Sequence, residues 1–164
     1  MYKVKTKEEL REIIEERKID LSTIDVSWIT NMESLFSSID KTNWSISEWD
    51  VSNVTNMSYM FAFTEQNPDI SLWCKELREI ELIKHRYTKQ DISWWDVSKV
   101  EDMNHMFYDS DFNWDISNWN VSNVKKMIWM FYKSKFNWDI SKWNTWNVED
   151  ISMIRSNILN FLRI

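Results

Sequence analysis

Four aspartates, Asp69, Asp91, Asp115 and Asp139, recur at steps of 22, 24 and 24 residues, each just before an Ile-Ser pair. A column of carboxylates could hold a hard cation, or divide acid and base roles between neighbours. An aspartate in the turn ahead of a strand more simply accepts backbone N–H groups, and the pattern predicts that role. The methionine pairs Met57/Met60, Met103/Met106 and Met127/Met130 raise the question of a soft-metal site. At helical spacing inside an apolar stripe they are expected to fill the core. His85 and His105 stand in different repeat units and Cys74 is the lone thiol. No zinc spacing and no Ser/His/Asp or Cys/His arrangement can be singled out. The chain holds no glycine, which excludes standard P-loops, dinucleotide-binding turns and EF-hand loops. The expectation is a protein that is not an enzyme and takes no cofactor or metal.

What must position these residues is a repeat. The tag N-x-[DS]-I-S-x-W occurs at 43–49, 67–73, 113–119 and 137–143, with a variant at 89–95. Its closing tryptophans, Trp49, Trp73, Trp95, Trp119 and Trp143, step 24, 22, 24 and 24 residues. So even a period predicts a solenoid. Each tag supplies an Ile, the Trp and a Val, such as Ile116, Trp119 and Val121, and the Trp/Val alternation predicts a short strand. A second apolar set follows, such as Val124, Met127, Met130 and Phe131. Its spacing of three, three and one predicts a short helix.

The expected organisation is one domain over 1–164. Residues 1–18 form an N-terminal capping helix, with Thr6 and Glu9 as a capping box and Leu10, Ile13 and Ile14 turned inward. About six repeats fill 19–155, the unit at 74–90 being a degenerate copy with a longer, charged helix in the same slot. Residues 156–164 close the other end.

The motif W-[DN]-V-S-[NK]-V-x-x-M-x-x-M-F with FN-x-DIS resembles the BspA-like leucine-rich-repeat proteins of bacteria, including the mycoplasma-type surface repeats, over roughly 19–155. The resemblance implies an α/β fold: a leucine-rich-repeat-like right-handed solenoid of short parallel strands and short helices, with capping helices at both ends. It also implies protein binding or adhesion.

Composition bounds the partners. A net charge of −6 argues against direct binding of nucleic acid. A protein partner is expected, basic or nucleic-acid-handling. No apolar run is long enough to span a membrane, and the charged start lacks a secretory h-region, so the expected location is cytoplasmic. The rival readings are a small acidic intracellular inhibitor, such as a phage anti-defence protein blocking a nuclease, and a carbohydrate-binding or adhesion module.

Phase sorts the candidate site residues. Trp49, Trp73, Trp95, Trp119 and Trp143 are expected in the core, with indole N–H groups satisfied by nearby Asp, Asn or Ser. The concave strand face is expected to carry Glu48, Trp94 and Asn118 in one column and Asp50, Asp96 and Asn120 in the next, with Trp146 beyond. Trp44, Trp114 and Trp138 share a loop phase and form a candidate aromatic strip for the partner. Tyr59, His105 and Trp129, one residue before Met60, Met106 and Met130, suggest a second patch on the convex side.

Overall fold

The computed structural model describes residues 2–16, 18–39, 46–64, 92–151 and 154. The chain opens with β1 (Tyr2–Lys3) and α1 (Lys7–Glu16). A 3-10 turn at Leu21–Thr23 then leads into β2 (Ile24–Asp25), which pairs in parallel with β1. The N-terminus of α1 forms because Thr6 Oγ1 accepts from the Glu9 N–H at 3.0 Å. The Glu9 carboxylate reaches back to the Lys5 N–H at 2.6 Å, one residue beyond the reciprocal capping-box bond. Leu10 and Ile14 are buried, and Ile13 packs half-buried against the same core.

Beyond β2 the described chain is a stack of coils at 21–39, 46–64, 92–110 and 116–134, with a fifth beginning at 140. Parallel bridges join Asn31 to Asn56, Asn56 to Asp102, and Asp102 to Lys126. The lateral ladder is regular. Met32, Ser34, Phe36 and Ser38 donate N–H bonds of 2.8–3.0 Å to the carbonyls of Asn56, Ser58, Met60 and Ala62. The second coil repeats this toward Asp102, Asn104, Met106 and Tyr108, and the third toward Lys126, Ile128, Met130 and Tyr132.

The Met-x-x-Met-Phe segments, expected as short helices, are runs of turns in every described coil. Alternate N–H groups bond within the coil, as Met106 to Met103 and Tyr108 to His105, while those between them bond to the next coil. An α-helix needs all its N–H groups for its own carbonyls. Two residues per coil also take left-handed conformations, Ser34 and Ser38, Tyr59 and Phe63, His105 and Asp109, Trp129 and Lys133, with φ from 49° to 59°. That handedness breaks a helix and costs about 1–2 kcal/mol per residue, which the lateral bonds offset. The apolar stripe nonetheless faces inward: Met103, Met106 and Phe107 are fully buried, as are their counterparts.

The strand expected in each coil is present in the first as β2; in the later coils the Trp/Val stretches are corners between two tight turns, closed by Trp49 N–H to Ile46 O and Val54 N–H to Val51 O. The lateral ladder runs through the following segment instead.

The second and third coils are immediate neighbours. Met57, Tyr59, Phe61 and Phe63 donate directly to residues of 102–108, and the Trp95 indole reaches Ile46 O at 3.2 Å. The expected rung at 74–90 lies outside the described residues, which leave out 65–91, with Trp73, Cys74 and His85, and the expected closing segment 156–164.

Phenylalanines stack through the core. Phe36, Phe61, Phe107 and Phe131 follow one another at centroid distances of 5.3, 5.7 and 5.6 Å, within 10° of parallel. The core tryptophans flank this stack: Trp49 against Phe36, Trp95 against Phe61 and Trp119 against Phe107, at 5.7–6.3 Å. Such contacts contribute about 0.5–1.5 kcal/mol each beyond burial.

Candidate functional site

The corner between the two tight turns carries most of the residues that sequence phase marked for a partner. Glu48, Asp50, Trp94, Asp96, Asn118 and Asn120 are all exposed there. Trp94 is 85% accessible and Trp146 93%, whereas Trp95, next in sequence to Trp94, is 4% accessible. The contrast is purely one of phase: the same turn that drives one indole into the core sends its neighbour into solvent.

The acidic column has a structural duty as well. Asp50 and Asp96 each accept the N–H two residues on, from Ser52 and Ser98, at 3.0 Å. Asn120 accepts from both the N–H and the hydroxyl of Ser122. These side-chain-to-backbone bonds fix the turn. Bonds from the Ser98 hydroxyl and N–H hold the Asp96 carboxyl below the usual carboxylate range, and Ser27 does the same for Asp25. Asp96 and Asp25 are thus ionised at neutral pH while they hold the backbone.

The aspartates of the Ile-Ser tag serve their turns in the same way. Asp115 accepts from Ser117 N–H at 3.0 Å and Asp139 from Ser141 N–H at 2.8 Å. Asp69 and Asp91 lie outside the described residues. Among the described residues no three His, Cys, Asp or Glu side chains are grouped to hold a metal ion.

The loop tryptophans separate. Trp114 is half-buried and packs against the core. Trp138 is 45% accessible and its indole donates to Asn113 O at 3.1 Å, tying its loop to the preceding one. Trp44 lies outside the described residues.

A second surface lies along the lateral ladder. Tyr59 stacks face to face on His105 at 4.4 Å and 7°, and His105 tilts against Trp129 at 5.8 Å. Tyr108 joins Trp129 and Tyr132 at 5.9 and 5.5 Å, and Phe63 meets Tyr108 edge-on at 5.2 Å. Lys133 Nζ sits 5.9 Å from the Tyr132 centroid, within cation–π reach. The phase of Tyr59, His105 and Trp129 was legible in the sequence. The contribution of Phe63, Tyr108 and Tyr132 was missed, although Tyr108 and Tyr132 stand 24 residues apart, directly after the core Phe. Burial keeps His105 below the usual histidine range, against the pull of Asp102, and its Nδ1 is buried without a hydrogen-bond partner.

These repeats match a known sequence family twice, over residues 7–79 and 79–162. The family is described as Mycoplasma protein of unknown function, DUF285. The chain belongs to the DUF285 family. The two matches meet at residue 79. No curated protein and no solved structure matches the chain. This DUF285 member presents two surfaces: turn carboxylates beside the exposed Trp94 at one corner, and a ring stack along the ladder. Among the described residues no helix is long and apolar enough to cross a membrane.

Proposed function

We propose that this DUF285 chain is a non-enzymatic repeat scaffold that binds a protein partner, built as a leucine-rich-repeat-like, right-handed solenoid of the BspA type. The observation that carries this reading is the exposure of Trp94 and Trp146. Their near-complete accessibility comes in a chain that buries Trp49, Trp95, Trp119 and Trp143. An indole held in water gains nothing for the fold, and tryptophan is enriched among residues that dominate binding energy. The carboxylates of Glu48, Asp50 and Asp96 recur along the corner that bears Trp94, so the partner segment carries lysine or arginine. Asn118 and Asn120 continue the two columns as polar, uncharged contacts.

The test is affinity capture of the partner with the wild-type chain, followed by titration of Trp94→Ala with Trp146→Ala. A drop of roughly tenfold or more is expected for hot-spot indoles. An unchanged affinity in the folded double variant would retire this corner. A parallel Tyr108→Ala with Tyr132→Ala variant asks whether the ladder-side rings bind instead. Reversing Asp50 and Asp96 to lysine should weaken binding most at low salt.

A further inference from the structure

The rings beside the ladder differ from those of the core in what their polar ends do. The indoles of Trp49, Trp95, Trp119, Trp138 and Trp143 each donate to a backbone carbonyl. Trp129 Nε1, His105 Nε2 and the hydroxyls of Tyr59, Tyr108 and Tyr132 have no hydrogen-bond partner among the described residues. His105 Nδ1 is the one buried side-chain nitrogen or oxygen there without a partner, so these five tips reach solvent. An orphaned buried N–H is rarer than an orphaned acceptor, which puts the proton of the neutral imidazole on Nε2. The row therefore offers five donors, and its indole and imidazole N–H groups cannot accept. The ring faces are turned to one another: Tyr59 lies within 7° of parallel to His105, and Tyr108 within 11° of Trp129 and 21° of Tyr132. Edges and tips are what the row presents outward. Its apolar flank lies at the second coil, where Tyr59 and Phe63 are 36% and 48% accessible beside only Ser34 and Ser38 of the first coil at the same phase. Tyr59, Phe63, His105 and Trp129 also hold left-handed backbone, which bulky side chains rarely adopt. Serine, aspartate and lysine fill the equivalent places at Ser34, Ser38, Asp109 and Lys133.

We infer that this row is a docking site for a proline-rich segment of a partner, held in the polyproline II conformation, with its carbonyls accepting from these tips and a flanking lysine or arginine on Asp109. Such a segment is complementary in kind. Proline carries no N–H, and the polyproline II backbone makes no internal hydrogen bonds, so its carbonyls stand open to donors. It is complementary in length as well. Tyr59 and Trp129 stand two lateral steps apart, about 9.6 Å for parallel neighbours, against about 9.3 Å for one three-residue turn of the segment. Equivalent carbonyls of successive turns thus reach the phenol and the indole. Proline rings pack against Tyr59 and Phe63 at the open flank. Charge fixes the direction. Asp109 is exposed with no ion-pair partner among the described residues, and Lys133 follows at the same phase one coil on, 5.9 Å from the Tyr132 centroid. A basic residue of the segment is drawn to the third coil and repelled from the fourth. A stacking ligand such as a nucleobase needs the ring faces, which the rings already give to each other.

Fluorescence anisotropy on the full chain tests this with a labelled peptide of about ten prolines and one terminal arginine, against a Gly/Ser peptide of the same length and charge. The wild-type chain should bind the proline peptide saturably and roughly tenfold or more tighter than the Gly/Ser peptide. Tyr59→Phe with Tyr132→Phe keeps both rings and removes two donors, and should weaken binding roughly fivefold or more. The wild type should also distinguish peptides with arginine at the first and at the last residue. Asp109→Asn, which suits left-handed backbone, should erase that preference. No saturable binding to the folded wild type overturns the inference, as does equal binding of the Gly/Ser peptide. Full affinity in the Tyr59→Phe, Tyr132→Phe variant overturns it too, since the peptide then sits elsewhere. So does a linear glycan or an acidic peptide that binds the wild type where the proline peptide does not.

Discussion

The indole of Trp119 donates to the carbonyl oxygen of Ile92, 27 residues earlier, across 3.1 Å, and this one bond ties together two neighbouring coils. Its equivalents run from Trp49 to Leu21, Trp95 to Ile46 and Trp143 to Ile116, at 2.9–3.2 Å. The tag W-x-V thus both fills the core and closes the turn of the coil before it. The Asn of the Val-Ser-Asn motif, and its counterpart in Thr145-Trp146-Asn147, makes a matching outer tie: Asn123 Nδ2 to Ser98 O and Asn147 Nδ2 to Ser122 O, both at 2.6 Å.

Trp119→Phe should therefore cost more than its lost area. It removes one of the two N–H bonds to Ile92 O, which keeps that of the Trp95 N–H, and leaves a void beside Phe107, together about 1–3 kcal/mol. Urea unfolding checks this. A loss well below 1 kcal/mol would mean that water or a neighbour takes over Ile92 O.

The left-handed positions should respond to glycine. Asp109 and Lys133 are exposed at φ 49° and 59°. Asp109→Gly and Lys133→Gly should each stabilise by about 0.5–1 kcal/mol, the relief of a left-handed Cβ less the added freedom of the unfolded chain. Tyr59→Gly relieves the same strain but removes the ring stacked on His105, so it should gain less than either. Chemical denaturation of the three variants orders them.

Stability should fall on the acid side of the ordinary histidine pKa. His105 is held lower in the fold by burial, so the unfolded chain binds its proton first. Its contribution is full above about pH 6.5 and is lost as pH falls toward the lower folded value. His105→Phe should flatten the dependence in that window. The separate loss below about pH 4 should remain, because it comes from carboxyls held low in the fold, such as Asp25, Asp96 and Asp139. Thermal unfolding across pH distinguishes the two windows.

Residues 65–91 should be replaceable by a short connector. The third and fourth coils are joined through 111–115, and the second and third coils are bonded as closely as any pair. A chain with Asp-Phe-Asn-Trp-Asp in place of 65–91 should keep cooperative unfolding and the Trp95–Ile46 tie. Loss of cooperativity would show that the segment supports the stack in another way.

Much of this was legible in residue order. The 24-residue step, the inward set Ile116, Trp119, Val121, Met127 and Phe131, the turn aspartates and the outward phase of Trp94 all follow from chemistry that each repeat carries locally. Burial depends on side-chain type and phase, and both are written in the letters. Local conformation was misread at Met57–Phe61 and its counterparts, because spacings of three and one suit a helix and a chain of turns alike. The choice between them belongs to the backbone N–H groups, and those are claimed by the neighbouring coil. The indole partners were misassigned for the same reason: a tryptophan needs an acceptor, but only stacking puts Ile92 O in front of Trp119. The rung that residue order placed at 74–90 lies outside the described residues. Periodicity along the chain is a property of the sequence. Which coil lies beside which, and therefore which carbonyl faces each indole, is decided only when the coils meet.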